Sequence, residues 1–532
     1  MRHSIQSMYD GAGVSIVGNV AYLSNKNLRP QDLGKLAKWL PKQRWFKKLA
    51  QSKTIPTLNS GDWRSGLLNL EMLHLTMNHS GSHFIPREDP FHLLDTKYEP
   101  YWMNALPPFA RRYLRYSYAI TEGTDPLAIV PKFPFMGFGY VLPDTGMASD
   151  AIQVFNLHRL SGIKQLSFLH DPVLKEHDRS VGALMFEHTR YCHVLDVHAV
   201  ANIIATNIKL DEQSSNIVNT AGISHDALTP AGGDSVKLID PAMFDEDAHF
   251  PELLVGDVWE EYRQRFNIDR DILVKTILGE GLLGRILDVA DKSSYLARDV
   301  NAYLMRTGAK KDARNTNLYT VADIVSNDPY VCALWESARL CKGSLVFGNI
   351  DRVSQFLKLR ALMFRGLYYN PYSRFFEYLI GKGVVKYLYE NKFVTLKELL
   401  EQQDYWIERK IDEVLGTYSM MGRFHNLENS RIEEYPDVAS ATRRAREFDA
   451  DPSMVVIIDA FKSVTGNGVH KFLVRKNNRT CTFAEARPKD AEEIESIMTF
   501  PQMVRLYFFD MNDLQIPEHG RQKLKEIMRS VN

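Results

Sequence analysis

Residues 188–208 read HTRYCHVLDVHAVANIIATNI. From Val194 to Ile208 apolar side chains recur every three or four positions, the spacing of a helix with one buried face. On the same winding Arg190 and His193 are three apart and share a face. The helical periodicity returns from Ile272 to Val289 and runs into DKSSYLARD at 291–299. There Asp291, Tyr295 and Asp299 stand at i, i+4 and i+8 and share a face, bordered by Lys292. Between the two helical stretches lies SHD at 224–226. The centre of the chain therefore predicts a helical domain that carries polar groups on chosen faces.

The dipeptide His-Asp occurs three times, as His170-Asp171, His177-Asp178 and His225-Asp226. The first two fall in a polar stretch around Pro172 and read as loop. Only the third follows a helix with an upstream histidine and precedes a helix with an aspartate. His193, His225, Asp226 and Asp291 together offer two imidazoles and two carboxylates. That set suits a divalent ion that activates water for attack on phosphorus. Taken singly, each of the four passes for a surface or capping residue. A solvated amphipathic helix with an exposed i, i+7 ion pair accounts for the 291–299 spacing equally well.

Composition narrows the field. Lys plus Arg and Asp plus Glu each total 65, so the formal net charge is zero. A general nucleic-acid binder usually carries a basic excess, and none is expected here. A phosphate pocket needs only a few cations and stays open. The four cysteines, Cys192, Cys332, Cys341 and Cys481, form no CxxC pair and fit a reducing compartment. The opening MRHSIQSMYDGAG lacks the apolar run of a signal peptide. No stretch of about 18 apolar residues offers a membrane span. A cytoplasmic chain without membrane contact is expected.

At 532 residues the chain exceeds one compact core. Four regions are expected. Residues 1–150 form an N-terminal module of unknown fold and function, with helical spacing at Leu33, Leu36, Ala37 and Leu40. Its later part, punctuated by Pro and Gly from Pro126 to Gly146, reads as extended chain and turns. Residues 151–300 and 301–450 are helical, the second rich in aromatics from Phe364 to Tyr378. Residues 451–532 read as a small α+β domain. Its strands are Val455–Ile458, Val469–Val474 and Val504–Phe509, and Pro488–Met498 is a helix. The expected fold class is mostly α.

Five pieces, in order, resemble the HD-domain deoxynucleoside triphosphate triphosphohydrolases. That family includes the sterile-α-motif/HD-domain dNTPase of animals and bacterial dGTP triphosphohydrolases. The pieces are IKQL at 163–166, HTRYCHVLDV at 188–197, SHD at 224–226, DKSSYLARD at 291–299 and LRALMFRGLYYN at 359–370. The resemblance covers roughly residues 153 to 380. It implies an HD-type helical core, completed by a helical extension that closes a nucleotide pocket. It implies a divalent metal (Mn, Mg, Fe, Ni or Zn) on His193, His225, Asp226 and Asp291. Gln165 and Asp299 would hydrogen-bond the sugar. Arg190, Lys292 and Arg360 would bind the triphosphate, and Tyr295 and Tyr368 would line the sugar and base pocket. Arg and Lys suit that task, because phosphoryl chemistry is mainly positioning and charge neutralisation. A homo-oligomer is implied by the resemblance alone.

One segment departs from the family. After its His-Asp pair the family continues roughly as HDxGHxxxxH, with histidines that contact phosphate and help protonate the leaving 5′ oxygen. This chain has HDALTPAGGD, with Thr229 and Asp234 at those positions. Asp234 would serve as a catalytic acid only if its surroundings raised its pKa. His249, in DEDAHFPELL, resembles a further active-site histidine of the family, or is a surface histidine in an acidic loop. The expected activity is hydrolysis of a dNTP to deoxynucleoside and triphosphate. The alternatives are a nucleotidase or another HD phosphodiesterase, and a nucleotide-binding sensor or scaffold with little turnover.

Overall fold

The structure is a computed structural model. It describes residues 147–166, 189–307, 316–328, 331–369, 371–417, 431–448, 451, 453–460, 468–499, 504–513 and 516–531. Five strands before them are described as backbone: β1 (His3–Gln6), β2 (Gly13–Val17), β3 (Val20–Ser24), β4 (Leu127–Pro131) and β5 (Gly139–Pro143). The helical spacing at Leu33–Leu40 and the dipeptides His170-Asp171 and His177-Asp178 lie outside the described residues. The first three strands form an antiparallel sheet, and β4 and β5 form a hairpin in the Pro- and Gly-punctuated stretch.

The described chain is mostly helical. Helix α1 (Met147–Val154) leads to α2 (Arg190–Ile208) and α3 (Glu212–Ser224). The α3 N-terminus is capped by Asp211, whose side chain accepts the Ser214 amide at 2.9 Å. A single turn, α4 (Asp234–Lys237), follows the His-Asp loop. Then come α5 (Arg270–Ile277) and the long α6 (Gly281–Thr307). The periodicity from Ile272 to Val289 thus belongs to two helices rather than one. Gly279 and Gly281 have φ of 78° and 69°, a left-handed backbone that no α-helix passes through.

Helices α2, α3 and α6 enclose the main apolar core, which includes Val194, Val197, Val200, Ile204, Val218, Ile223, Ile286 and Leu296. A buried ion pair between Arg298 of α6 and Asp196 of α2 crosses that interface. Its removal from one side would leave an uncompensated charge in the core.

Beyond α6, helix α7 (Thr316–Asn327) leads to the β6 (Ala338–Cys341) and β7 (Ser344–Phe347) hairpin and to α8 (Ile350–Met363). The chain then widens into π-helix at Phe364–Tyr368 and again at Glu377–Val385. Helix α9 (Asp404–Leu415) ends the helical region.

The C-terminal part is α+β. Strand β8 (Arg431–Tyr435) joins β9 (Met454–Ala460) and β12 (Val504–Asp510) in an antiparallel sheet with order β8-β12-β9. Strands β10 (Leu473–Lys476) and β11 (Arg479–Thr482) extend the β6-β7 hairpin into a four-stranded sheet. Helices α10 (Pro488–Met498) and α11 (Glu518–Val531) complete it. The expected strand at Val469–Val474 begins only at Leu473. Upstream, the amides of Lys471 and Phe472 both return to the Gly468 carbonyl at 2.8 and 2.9 Å, closing a turn. Val469 and Phe472 are buried there as turn residues, so the apolar content of VHKFLV imitates a strand.

Two polar clamps fix the loop after His225-Asp226. The buried Arg159 guanidinium donates to the carbonyls of Ala227 at 2.9 Å, Thr229 at 2.7 Å and Gln402 at 3.0 Å. Burial brings its pKa down to about 10, against the pull of Asp404 and Asp226. Asp404, at the start of α9, accepts the Gly232 and Lys164 amides, each at 2.8 Å. Burial pushes the Asp404 carboxyl up to about 6, and the two amides hold it down. Among the described residues no helix is long and apolar enough to cross a membrane.

Asp404→Ala strands two amide donors and frees the His-Asp loop from α9. A loss of about 2 to 4 kcal/mol is expected, read as a lower denaturant midpoint at unchanged slope. An unchanged midpoint would show that the clamp contributes nothing.

Candidate metal centre and adjoining pocket

Helix α2 presents His193, the α3 C-terminus presents His225 and Asp226, and α6 presents Asp291. Nε2 of His193 lies 3.1 Å from Asp291 Oδ1 and 3.7 Å from Asp226 Oδ2. Nε2 of His225 lies 3.8 Å from Asp226 Oδ1 and 3.9 Å from Asp291 Oδ1. The two imidazoles meet edge to face with centroids 5.3 Å apart. One donor atom each from His193, His225 and Asp291 falls within a 4.8 Å sphere of mutual distances.

These separations fit a bound cation. Ligands about 2.1 Å from one ion stand about 3.0 Å apart when adjacent and about 4.2 Å when opposite. The Nδ1 of His225 lies 3.0 Å from the Gly222 carbonyl, which can only accept. Nδ1 therefore carries a proton, and Nε2 is the ring nitrogen turned to the cluster. The buried Nε2 atoms of both histidines have no hydrogen-bond partner. Two imidazole nitrogens and carboxylate oxygens suit Mn, Fe, Ni or Zn, and Mg less well.

Charge arrangement keeps the carboxylates ionised. Burial alone would raise Asp226, but Arg190, His225 and His193 outweigh it and hold it far below the carboxylate range. Asp291 is likewise held down, mainly by His193, against its burial. Arg190 donates from Nη1 to Asp226 at 2.9 Å and from Nη2 to Asp234 at 2.6 Å. Lys237 reaches Asp234 at 3.2 Å and Glu246 at 2.5 Å.

Asp234 does not meet the condition for a proton donor. The bulk of protein around it would raise its pKa, but Arg190 and Lys237 lower it and keep it ionised. His249 has both ring nitrogens engaged, with Glu252 at 2.9 Å and the Met243 carbonyl at 2.8 Å. The Glu252 carboxylate raises its pKa first, followed by the Met243 carbonyl, and both favour imidazolium.

The remaining expected residues gather along α6 and the α8 end. Arg360 donates from Nε to the Tyr295 hydroxyl at 2.9 Å, with its guanidinium 4.6 Å from the Phe364 ring centroid. The Tyr368 hydroxyl donates to Asp299 at 2.5 Å, and the Tyr295 and Tyr368 rings meet edge to face. Tyr368 sits in the first π-helical stretch, so the angular phase linking it to Arg360 is not that of an α-helix. Lys292 pairs with Asp288 one turn back on α6. Gln165 is buried beside the Ile163–Arg190 backbone bond, and its Oε1 has no hydrogen-bond partner.

Three charged residues escaped the sequence reading: Lys237, Glu246 and Asp247. Asp247 is half-buried within electrostatic reach of His225 and Asp226. Burial, then Glu246, pushes its carboxyl up to about 7, against the pull of His225. Within the acidic run DEDAH, Glu246 pairs with Lys237 and Asp247 interacts with His225 and Asp226 through charge.

Comparison with known proteins reaches the fold. No family model matches the chain, and no curated protein does. A hypothetical protein from Aquifex aeolicus superposes with a TM-score of 0.52 at 16% identity, covering 73% of this chain and 97% of that one. A phosphohydrolase from Bacteroides thetaiotaomicron gives a TM-score of 0.49 at 15% identity, with 70% and 97% coverage. The first likeness is one of fold, and the chemistry rests on the side chains above.

Elemental analysis of the purified chain is expected to find about one divalent transition ion per molecule. Asp291→Ala and His193→Ala should each lower that occupancy at least tenfold after dialysis. Equal occupancy in both variants would remove these residues from the metal centre.

Proposed function

We propose that this chain is a metal-dependent phosphohydrolase of the HD type that acts on nucleotides, converting a dNTP to deoxynucleoside and triphosphate. The observation that carries the reading is continuity along α6. Asp291 belongs to the histidine-carboxylate cluster. One turn on, Tyr295 meets Arg360, and two turns on, Asp299 meets Tyr368. Eight residues of α-helix span about 12 Å, a length that suits a phosphate group at one end and a sugar at the other.

A divalent ion in the cluster would lower the pKa of a bound water and draw charge from a phosphate oxygen. The chain's own residues do the rest. Arg190, Lys292 and Arg360 neutralise phosphate charge. Asp299 accepts from Tyr368 and would bond a sugar hydroxyl. The leaving 5′ oxygen needs a proton; Asp234 is held ionised, and both His249 ring nitrogens are taken by Glu252 and the Met243 carbonyl. Asp247, pushed up to about 7 by burial and by Glu246, is the candidate donor.

A second reading, nucleotide binding with little turnover, draws on the ionised Asp234 at a position where the family has a histidine. Purified protein loaded with Mn, Mg, Fe, Ni or Zn separates the two when mixed with each dNTP and NTP and resolved by chromatography. Deoxynucleoside plus triphosphate is the expected product, and Asp226→Ala should abolish it. Orthophosphate or a monophosphate product would turn the assignment to a nucleotidase or phosphodiesterase. Binding without product would leave a sensor. Asp247→Asn is expected to lower kcat about 10²-fold with little change in KM. An unchanged kcat would free Asp247 of the proton-donor role.

A further inference from the structure

The Asp234 carboxylate is held by two cations at once. Its Oδ2 accepts from Arg190 at 2.6 Å, and its Oδ1 lies 3.2 Å from Lys237 Nζ. Each cation is anchored from behind by a buried acid. Arg190 is fixed by Asp226 at 2.9 Å, and Lys237 by Glu246 at 2.5 Å. Asp226 and Glu246 are 4% and 7% exposed, while the Asp234 side chain is 52% exposed. Two preset cations therefore share one anion on their open side.

The backbone holds Asp234 at a tight turn. Asp234 follows Gly232 and Gly233, with φ of 86° and 52°. Asp404 grips the Gly232 amide and the Pro230 carbonyl accepts the Gly233 amide at 2.8 Å, so the exposed Asp234 side chain leaves from a fixed turn. Asp234 then enters a single helical turn in which Lys237 is its i+3 neighbour. The other arm of the Arg190 guanidinium holds the cluster residue Asp226, so the seat adjoins the metal centre.

We propose that Arg190 and Lys237 form a phosphate seat and that Asp234 occupies it as an internal stand-in until the substrate's phosphate displaces it. A carboxylate offers two oxygens and one charge. A phosphate group of a polyphosphate offers more oxygens and more charge to the same pair of cations. Lys237 becomes a substrate-binding residue, and Asp234 a competitor that tunes affinity. The inference rests on the phosphohydrolase reading for its substrate but tests the seat itself.

Tripolyphosphate is the probe, titrated calorimetrically into the full chain loaded with its divalent ion. Lys237→Met is expected to weaken binding about tenfold, and Lys237→Arg to restore most of it. Asp234→Asn is expected to tighten binding several-fold, because the internal competitor loses its charge. Asp234→Ser provides the same test if Asn perturbs the turn, with thermal melts confirming that each variant folds. Weaker binding in both Asp234 variants would make Asp234 a strut and overturn the proposal. Wild-type affinity in Lys237→Met, or no tripolyphosphate binding by the wild type, would also overturn it. The expected ranking without turnover of any nucleotide would sink the phosphohydrolase reading and leave the seat standing.

Discussion

Two imidazoles and two carboxylates face one another across 3.1 to 3.9 Å at the centre of this chain. Such groups repel unless a cation or proton lies among them. Water cannot relieve the repulsion well, because His193 and Asp226 are almost wholly buried. Arg190 supplies part of the answer by pairing with Asp226 and depressing its pKa. A bound divalent ion would supply the rest, since its charge is worth most where the dielectric is low. The surrounding structure can be understood as what holds these groups together against their mutual cost.

That holding is done by the main core and by a few buried polar contacts. Helices α2 and α6 bring one ligand group each and the α3 C-terminus brings two, and apolar side chains on their shared faces keep them together. The Asp196–Arg298 pair crosses from α2 to α6 at a fixed register. Arg159 and Asp404 grip the loop after Asp226 from two sides. A scaffold with more clamps than the fold alone requires is expected where charged groups must stay within tenths of an ångström of one geometry.

The mostly helical fold and the α+β tail were legible from helical apolar spacing in α10 and from long apolar runs in α2 and β12, which are buried almost throughout. The proximity of His193, His225 and Asp291, with Asp226 beside them, was legible because three short motifs stood in order on separate helices. The break at Gly279–Gly281 was hidden because apolar spacing runs on across it, while backbone handedness does not show in hydrophobicity. The turn at Gly468–Phe472 was hidden because its buried apolar residues run straight into those of the strand that follows. Lys237, Glu246 and Asp247 were hidden for a different reason. They act through neighbours on other elements, and their charges acquire meaning only once Arg190 and Asp226 stand beside them. The ionised state of Asp234 follows from the same network, which local sequence does not display.

The central claim is that one divalent ion sits among His193, His225, Asp226 and Asp291. Anomalous diffraction from a crystal grown with Mn²⁺, recorded on both sides of the manganese edge, tests it most directly. One peak is predicted, bounded by the two Nε2 atoms and the Asp226 and Asp291 carboxylates at about 2.1 Å. A strong peak elsewhere, with these four side chains bonded only to one another, would contradict it.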